Sequence, residues 1–194
     1  MRTGTPYQIV GGIRFYERKE VKDLISYLRL IYNPNDSVSF DRIINVPARG
    51  IGAKSLLAIQ NFATQQGSLS HALSLIDECP GLSSKALNAT QNFYSKIEKL
   101  RADLLKFSVA EIIQTVISLF NLDEFYNDNT PQGIERLENL RELASVATSQ
   151  GATDLGAFLE DIALVSDLDS LSSTGDSVTL MTIHGSKGLE FPVV

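Results

Sequence analysis

The sequence predicts a mainly α chain: a helical inserted domain with a helix–hairpin–helix element, plus short strands at both ends from an incomplete α/β domain. Three observations carry that expectation. From residue 34 to about 168, apolar residues recur at helical spacing in one segment after another. The short apolar runs Tyr7–Val10 and Val178–His184 have strand patterning and stand at opposite ends. Polar breaks at Asn33–Ser37 and Ser166–Ser177 separate the helical body from those runs. An inserted domain needs its entry and exit close together, which such breaks suit. The division is residues 1–33 and 176–194 for the strand-bearing domain and 34–175 for the helical one.

Tyr7-Gln-Ile-Val-Gly-Gly12 reads as a strand closed by a glycine turn. Residues 14–32 place Val21, Leu24, Ile25, Leu28 and Ile31 on one helical stripe, with Glu17, Arg18, Lys19 and Lys22 off it. After the break, Ser39 is expected to cap a short helix over Phe40, Ile43 and Ile44. A longer helix runs from Ala53 to Gly67, and another from Ser70 to Cys79, stopped by Pro80-Gly81. Residues 83–107 read as one long amphipathic helix. Ser108-Val-Ala-Glu111 is a capping-box pattern that restarts the chain into Ile112, Ile113, Val116 and Phe120. Pro131 opens a helix ending near Gly151, and residues 153–168 form the last. The Ser-rich stretch 166–177 reads as a linker. Phe93, Tyr94, Phe120 and Phe125 are expected in the core. A second strand begins at Phe191, so the chain is expected to be a piece of something longer.

Length allows one or two cores, and no apolar run reaches the ~20 residues that span a bilayer. The single Cys79 excludes an internal disulfide and a Cys-rich zinc site, and fits a reducing cytoplasm. With His71 and His184 far apart, no metal centre is expected. The net charge of −6 is unevenly spread. Residues 42–76 hold Arg42, Arg49 and Lys54 and no acid, whereas residues 142–186 hold seven acids and no Lys or Arg. A locally positive window in an acidic chain suits focused contact with phosphate.

Inside that window lies Val46-Pro-Ala-Arg49-Gly50-Ile51-Gly52-Ala-Lys54-Ser55. Two glycines flank one apolar residue between two helices, the pattern of a hairpin that binds DNA backbone. Gly50 and Gly52 permit backbone geometry closed to other residues and close approach of a phosphate. Ile51 is placed to turn inward and pin the hairpin. The helix that follows points its free amides and positive dipole end at the same phosphate. Arg49 and Lys54 add charge and Ser55 a hydroxyl. Such contacts carry no base information, so binding is expected to be independent of sequence. An ordinary interhelical turn has the same Gly-x-Gly spacing; the flanking helices, the lysine and the absence of acids favour DNA.

At the far end, Val178–His184 has the unbroken apolar pattern of a strand covered on both faces, and polar groups gather where it stops. Thr182, His184, Gly185, Lys187, Gly188 and Glu190 form a glycine-framed turn without P-loop spacing. Read from residues alone, it is a polar turn suited to a nucleotide or a phosphate. In that order the turn resembles motif V of superfamily 1 DNA helicases of the UvrD/PcrA/Rep type. Tyr7-Gln-Ile-Val-Gly-Gly…Phe15-Tyr-Glu17-Arg18-Lys-Glu20-Val-Lys22-Asp23…Tyr27-Leu28-Arg29-Leu30 looks like their motif IVa, and the Gly-Ile-Gly hairpin stands where their domain 2B has its duplex-contacting hairpin.

The resemblance implies that the end strands come from the second RecA-like domain, 2A, and that residues 34–175 are domain 2B. It implies an ATP-dependent 3′–5′ DNA helicase as the parent, with ATP and Mg²⁺ as cofactors and a role in repair or replication in the bacterial cytoplasm. Glu190, with Gly188, would bind the ribose of ATP. Thr182, His184, Gly185 and Lys187 would couple the nucleotide cleft to single-stranded DNA. Arg49, Gly50, Ile51, Gly52, Lys54 and Ser55 would hold duplex DNA. No Walker A lysine, Walker B carboxylates or motif VI arginine occur here, so this segment alone is expected to be inactive and to carry no bound cofactor. Partners implied are duplex and single-stranded DNA and the remainder of the helicase chain, with no membrane. Self-association is expected where strands lack neighbours. The alternatives are a non-enzymatic helical interaction module or the helicase part of a RecB/AddA-type nuclease–helicase.

Overall fold

The computed structural model describes residues 7–10, 15–149, 151–152, 154–171 and 178–181. Its first strand, β1 (Tyr7–Val10), pairs in parallel with the last, β2 (Val178–Met181), Tyr7 opposite Val178 and Ile9 opposite Leu180. Between them the described chain is helical: α1 (Lys19–Tyr32), α2 (Ser37–Ile43), α3 (Ala53–Gln66), α4 (Leu69–Ser74), α5 (Ser84–Ala102), α6 (Val109–Leu119), α7 (Leu122–Tyr126), α8 (Pro131–Ser149) and α9 (Leu155–Leu171).

Helix α1 is the axis of the body. Val21, Leu24, Tyr27, Leu28 and Ile31 are fully buried, and α2, α5, α6, α8 and α9 pack around it. The apolar surface of α1 is covered by helices that follow the break at residues 33–37. Tyr27, Phe40, Phe93 and Phe120 form the centre of the core, with Tyr27 and Phe120 ring centroids 4.5 Å apart. Tyr94 is half-buried against this cluster, and Phe125 lies outside it, 42% exposed.

Several local signals act as expected and several do not. The capping box forms: Ser108 Oγ accepts from Glu111 N–H, and the Glu111 carboxylate accepts from Ser108 N–H at 2.8 Å. Those hydrogen bonds hold the Glu111 carboxyl below its ordinary pKa. Asp36, not Ser39, caps α2, because its carboxylate accepts from both the backbone and the hydroxyl of Ser39, at 3.0 and 2.7 Å. Ser68 caps α4, which starts one residue before the expected Ser70 and gives way to a 3₁₀ turn at Ile76–Glu78. The helix expected through Phe107 stops at Ala102 and becomes a tight turn, Leu104–Lys106, closed by a 2.6 Å Lys106–Asp103 ion pair. Leu105 there faces solvent, so no burial sustains the helix. Helix α9 continues through the first part of the expected linker to Leu171; residues 172–177 lie outside the described residues.

Candidate nucleic-acid interface

Helices α2 and α3 are joined by residues 44–52, which include a cis Val46–Pro47 bond. Asn45 organises this connection. Its side-chain oxygen accepts from the backbone N–H groups of Arg49 and Ile51, at 3.3 and 3.2 Å, and its amide donates to the Ile51 carbonyl at 2.5 Å. Ile51 is thereby turned into the core, 3% exposed, a burial that contributes about 1.5–3 kcal/mol. With Ile51 inward, its two glycine neighbours face solvent. Gly50 has φ +74°, a left-handed conformation that disfavours a side chain. Gly52 caps α3 with ordinary extended geometry and offers no side-chain cap, so the amides of the first turn stay open.

The charged residues of the hairpin behave differently from one another. Arg49, expected to face phosphate, turns inward. One of its terminal nitrogens donates to the carbonyls of Ile43, Ile44 and Pro47 at 2.8, 2.9 and 3.2 Å, and the other donates to the Tyr27 hydroxyl at 2.7 Å. Its guanidinium also covers Phe93 and Phe120, 4.8 and 5.5 Å from their centroids. A planar fork beside the last carbonyls of α2 and two aromatic faces suits Arg in the interior as well as it suits phosphate. Tyr27, which donates in turn to the Val46 carbonyl, has its phenol pKa pushed up to about 12 by burial, with Arg49 pulling the other way. Lys54 is exposed on the first turn of α3, and the Ser55 hydroxyl is half-buried beside it. Neither side chain has a hydrogen-bond or ionic partner among the described residues. Lys85, at the start of α5, lies across Gly50, and nothing local in the sequence marks it as part of the hairpin.

The charged residues near the start of α1 divide into two kinds. Glu17 and Lys22 are exposed. Arg18, Glu20 and Asp23 are built into the body: Asn139 of α8 donates to Glu20 at 2.6 Å and accepts from Arg18, while Asp23 accepts from the Tyr126 hydroxyl and pairs with Arg42 Nε at 2.6 Å. Asp23 is 2% exposed, so its charge is held by full pairing, and α2 and α7 are tied to α1 through it. Burial first, and the hydrogen bond to Asp23 second, push the Tyr126 phenol above its ordinary pKa. No buried side-chain nitrogen or oxygen lacks a partner among the described residues. Thr182, His184, Gly185, Lys187, Gly188 and Glu190 lie outside the described residues, as does the expected strand from Phe191. Among the described residues no cluster of His, Cys, Asp and Glu could hold a metal, and no helix is long and apolar enough to cross a membrane. Cys79 is buried, and burial raises its thiol pKa.

A glycine hairpin pinned by Ile51 joins two helices of the body, and the strands β1 and β2 lie side by side in parallel. The whole chain, residues 1–194, matches the UvrD-like helicase C-terminal domain, and the chain belongs to that family. It is 42% identical over 206 residues to the ATP-dependent DNA helicase PcrA of Bacillus subtilis, covering all of this chain and 28% of that protein. It is 43% identical over 202 residues to PcrA of Staphylococcus aureus, covering all of this chain and 27% of the relative. The PcrA of Staphylococcus epidermidis is 42% identical over 202 residues, again across the whole chain and 27% of its length. The chain therefore spans little more than a quarter of these relatives.

Proposed function

We propose that the chain is domain 2B with flanking parts of domain 2A of an ATP-dependent 3′–5′ DNA helicase, and that it holds duplex DNA by its backbone through the hairpin at residues 49–55. The observation that carries this reading is the outward face of the hairpin. Ile51 anchors it, two glycines and the open amides of α3 face solvent, and Lys54 stands unpaired beside them in a stretch without acids. Amides and an ammonium directed at one point suit a phosphate oxygen, and they read no base. Arg49 serves here by holding the hairpin's shape from inside. The names of the PcrA relatives support ATP and DNA as ligands of the parent. The parallel pairing of β1 with β2 supports a helical body inserted into a sheet-bearing domain.

Under the same reading, Glu190 and Gly188 contact ATP, which acts with Mg²⁺, and Thr182, His184, Gly185 and Lys187 couple that cleft to single-stranded DNA. The protein works in the bacterial cytoplasm in repair or replication, and this segment alone hydrolyses no ATP. Fluorescence anisotropy with two unrelated duplexes tests the DNA contact. Weak binding without sequence preference is expected, with a salt slope of about −2 to −3. Gly52→Ala is the informative variant: a Cβ there meets nothing within 4 Å, so folding is preserved while the phosphate is kept away. Affinity should fall several-fold. Unchanged binding by Gly52→Ala, or strong preference for one duplex, rejects the assignment. Light scattering on the same chain shows whether the end strands are covered by self-association.

A further inference from the structure

We infer that Lys85 is the second cation of the hairpin's phosphate site, in the position that chain proximity would assign to Arg49. The inference rests on the duplex-binding reading above. A Cβ built on Gly50 would lie 3.0 Å from Lys85 Cε and 3.2 Å from its Nζ, so this side chain, 35 positions further along the sequence, lies on the exposed glycine. Lys85 is itself exposed, and its ammonium has no hydrogen-bond or ionic partner among the described residues. A long lysine chain laid over a glycine without an acid to hold it is available to a ligand anion.

Its place in α5 points the same way. Lys85 is the second residue of that helix, just as Lys54 is the second residue of α3, and neither first turn contains an acid. A cation at the positive end of a helix is unfavourable to the fold alone, and a carboxylate there would be the stabilising choice. Two helices thus each carry a lysine where folding gives no reason for one, and the second of those lysines reaches the glycine that precedes the first helix. A phosphate over Gly50 would meet Lys85 directly, with Lys54 four positions further along on the first turn of α3. The absence of a side chain at Gly50 leaves room for Lys85 to lie there and to move aside.

The experiment compares Lys85→Gln with Lys99→Gln by anisotropy on one duplex across a salt series. Lys99 is an exposed lysine on the same helix, ~21 Å further along, so both variants lose the same charge. For Lys85→Gln the salt slope should become shallower by about 0.9 and the affinity at 0.1 M salt should drop about eightfold, the effect of one phosphate contact. Lys99→Gln should track the unaltered chain. Removing a cation from a helix N-terminus favours the helix, so a loss of binding will not reflect misfolding, and the melting temperature checks this. If the unaltered chain binds and Lys85→Gln binds equally well, or both variants weaken alike, the Lys85 assignment is overturned while the hairpin reading stands. If the unaltered chain binds no duplex at low salt, the hairpin reading fails and takes the Lys85 assignment with it.

Discussion

Truncating Arg49 separates a structural arginine from a DNA-binding one. In Arg49→Ala the carbonyls of Ile43, Ile44 and Pro47 and the Tyr27 hydroxyl lose a charged donor, and Phe93 and Phe120 lose the group that covers them. Hydrogen bonds to charged groups contribute about 1.5–3 kcal/mol each, but four around one guanidinium do not add. The side chain is only half-buried, so water reaches part of the gap. A net loss of about 3 kcal/mol follows, of which the two ring contacts supply about 1. For a chain of this size each kcal/mol lowers Tm by about 2–4 °C, so the melt followed by circular dichroism should fall by about 6–12 °C. Arg49→Lys keeps the charge but loses the planar fork, and should recover less than half of the deficit. A Tm within about 2 °C of the unaltered chain, together with a large loss of duplex affinity, would show that Arg49 faces DNA and would refute the interior assignment.

Asn45→Ala should destabilise the chain by about 1–2 kcal/mol and speed hydrogen exchange at the Ile51 amide, because both backbone groups of Ile51 lose their clamp; unchanged exchange there removes Asn45 from its organising role. Asn45→Asp keeps the acceptor, loses the donor and brings an acid into the positive window, so its duplex affinity should fall further than its stability. Tyr27 supplies a pH dependence. Its folded pKa of about 12 lies above the ordinary value of 10.0, so its contribution to stability is complete below pH 10 and is lost as pH rises through 12. The urea midpoint followed by helical circular dichroism should therefore decline between pH 10 and 12, and a midpoint unchanged across that window contradicts the buried phenol.

Much of the helical body is legible because its signals are local. The stripe from Val21 to Ile31, the Ser108–Glu111 box and the Gly-Ile-Gly spacing each lie within one or a few turns, where side-chain chemistry decides geometry directly. What the sequence conceals is direction and distance. Arg49 is a basic residue in a basic window, and nothing adjacent reveals that aromatic rings from α5 and the end of α6 lie beneath it. Lys85 belongs to the hairpin only because α5 folds back onto it. Glu20 and Asp23 look like surface charges on a helix until Asn139, Arg42 and Tyr126 arrive from elsewhere in the chain. Short elements were also hidden: α7 follows the left-handed Asn121 with too few residues to show a period.

The pairing of β1 with β2 has a consequence for the order of folding. Tyr7 and Val178 meet across a loop of about 170 residues, and closing such a loop from an open chain costs about 2.5 kcal/mol more than closing one of ten residues. Two strands of four residues offer little to set against that cost. Once α1 has gathered the helices around itself, the intervening length collapses to the width of one folded body, and the two ends become near neighbours. The alignment of the short sheet is then decided by the packing of helices outside it. Loosening the α1 core should accordingly release the strand pair before any change is made in the strands themselves.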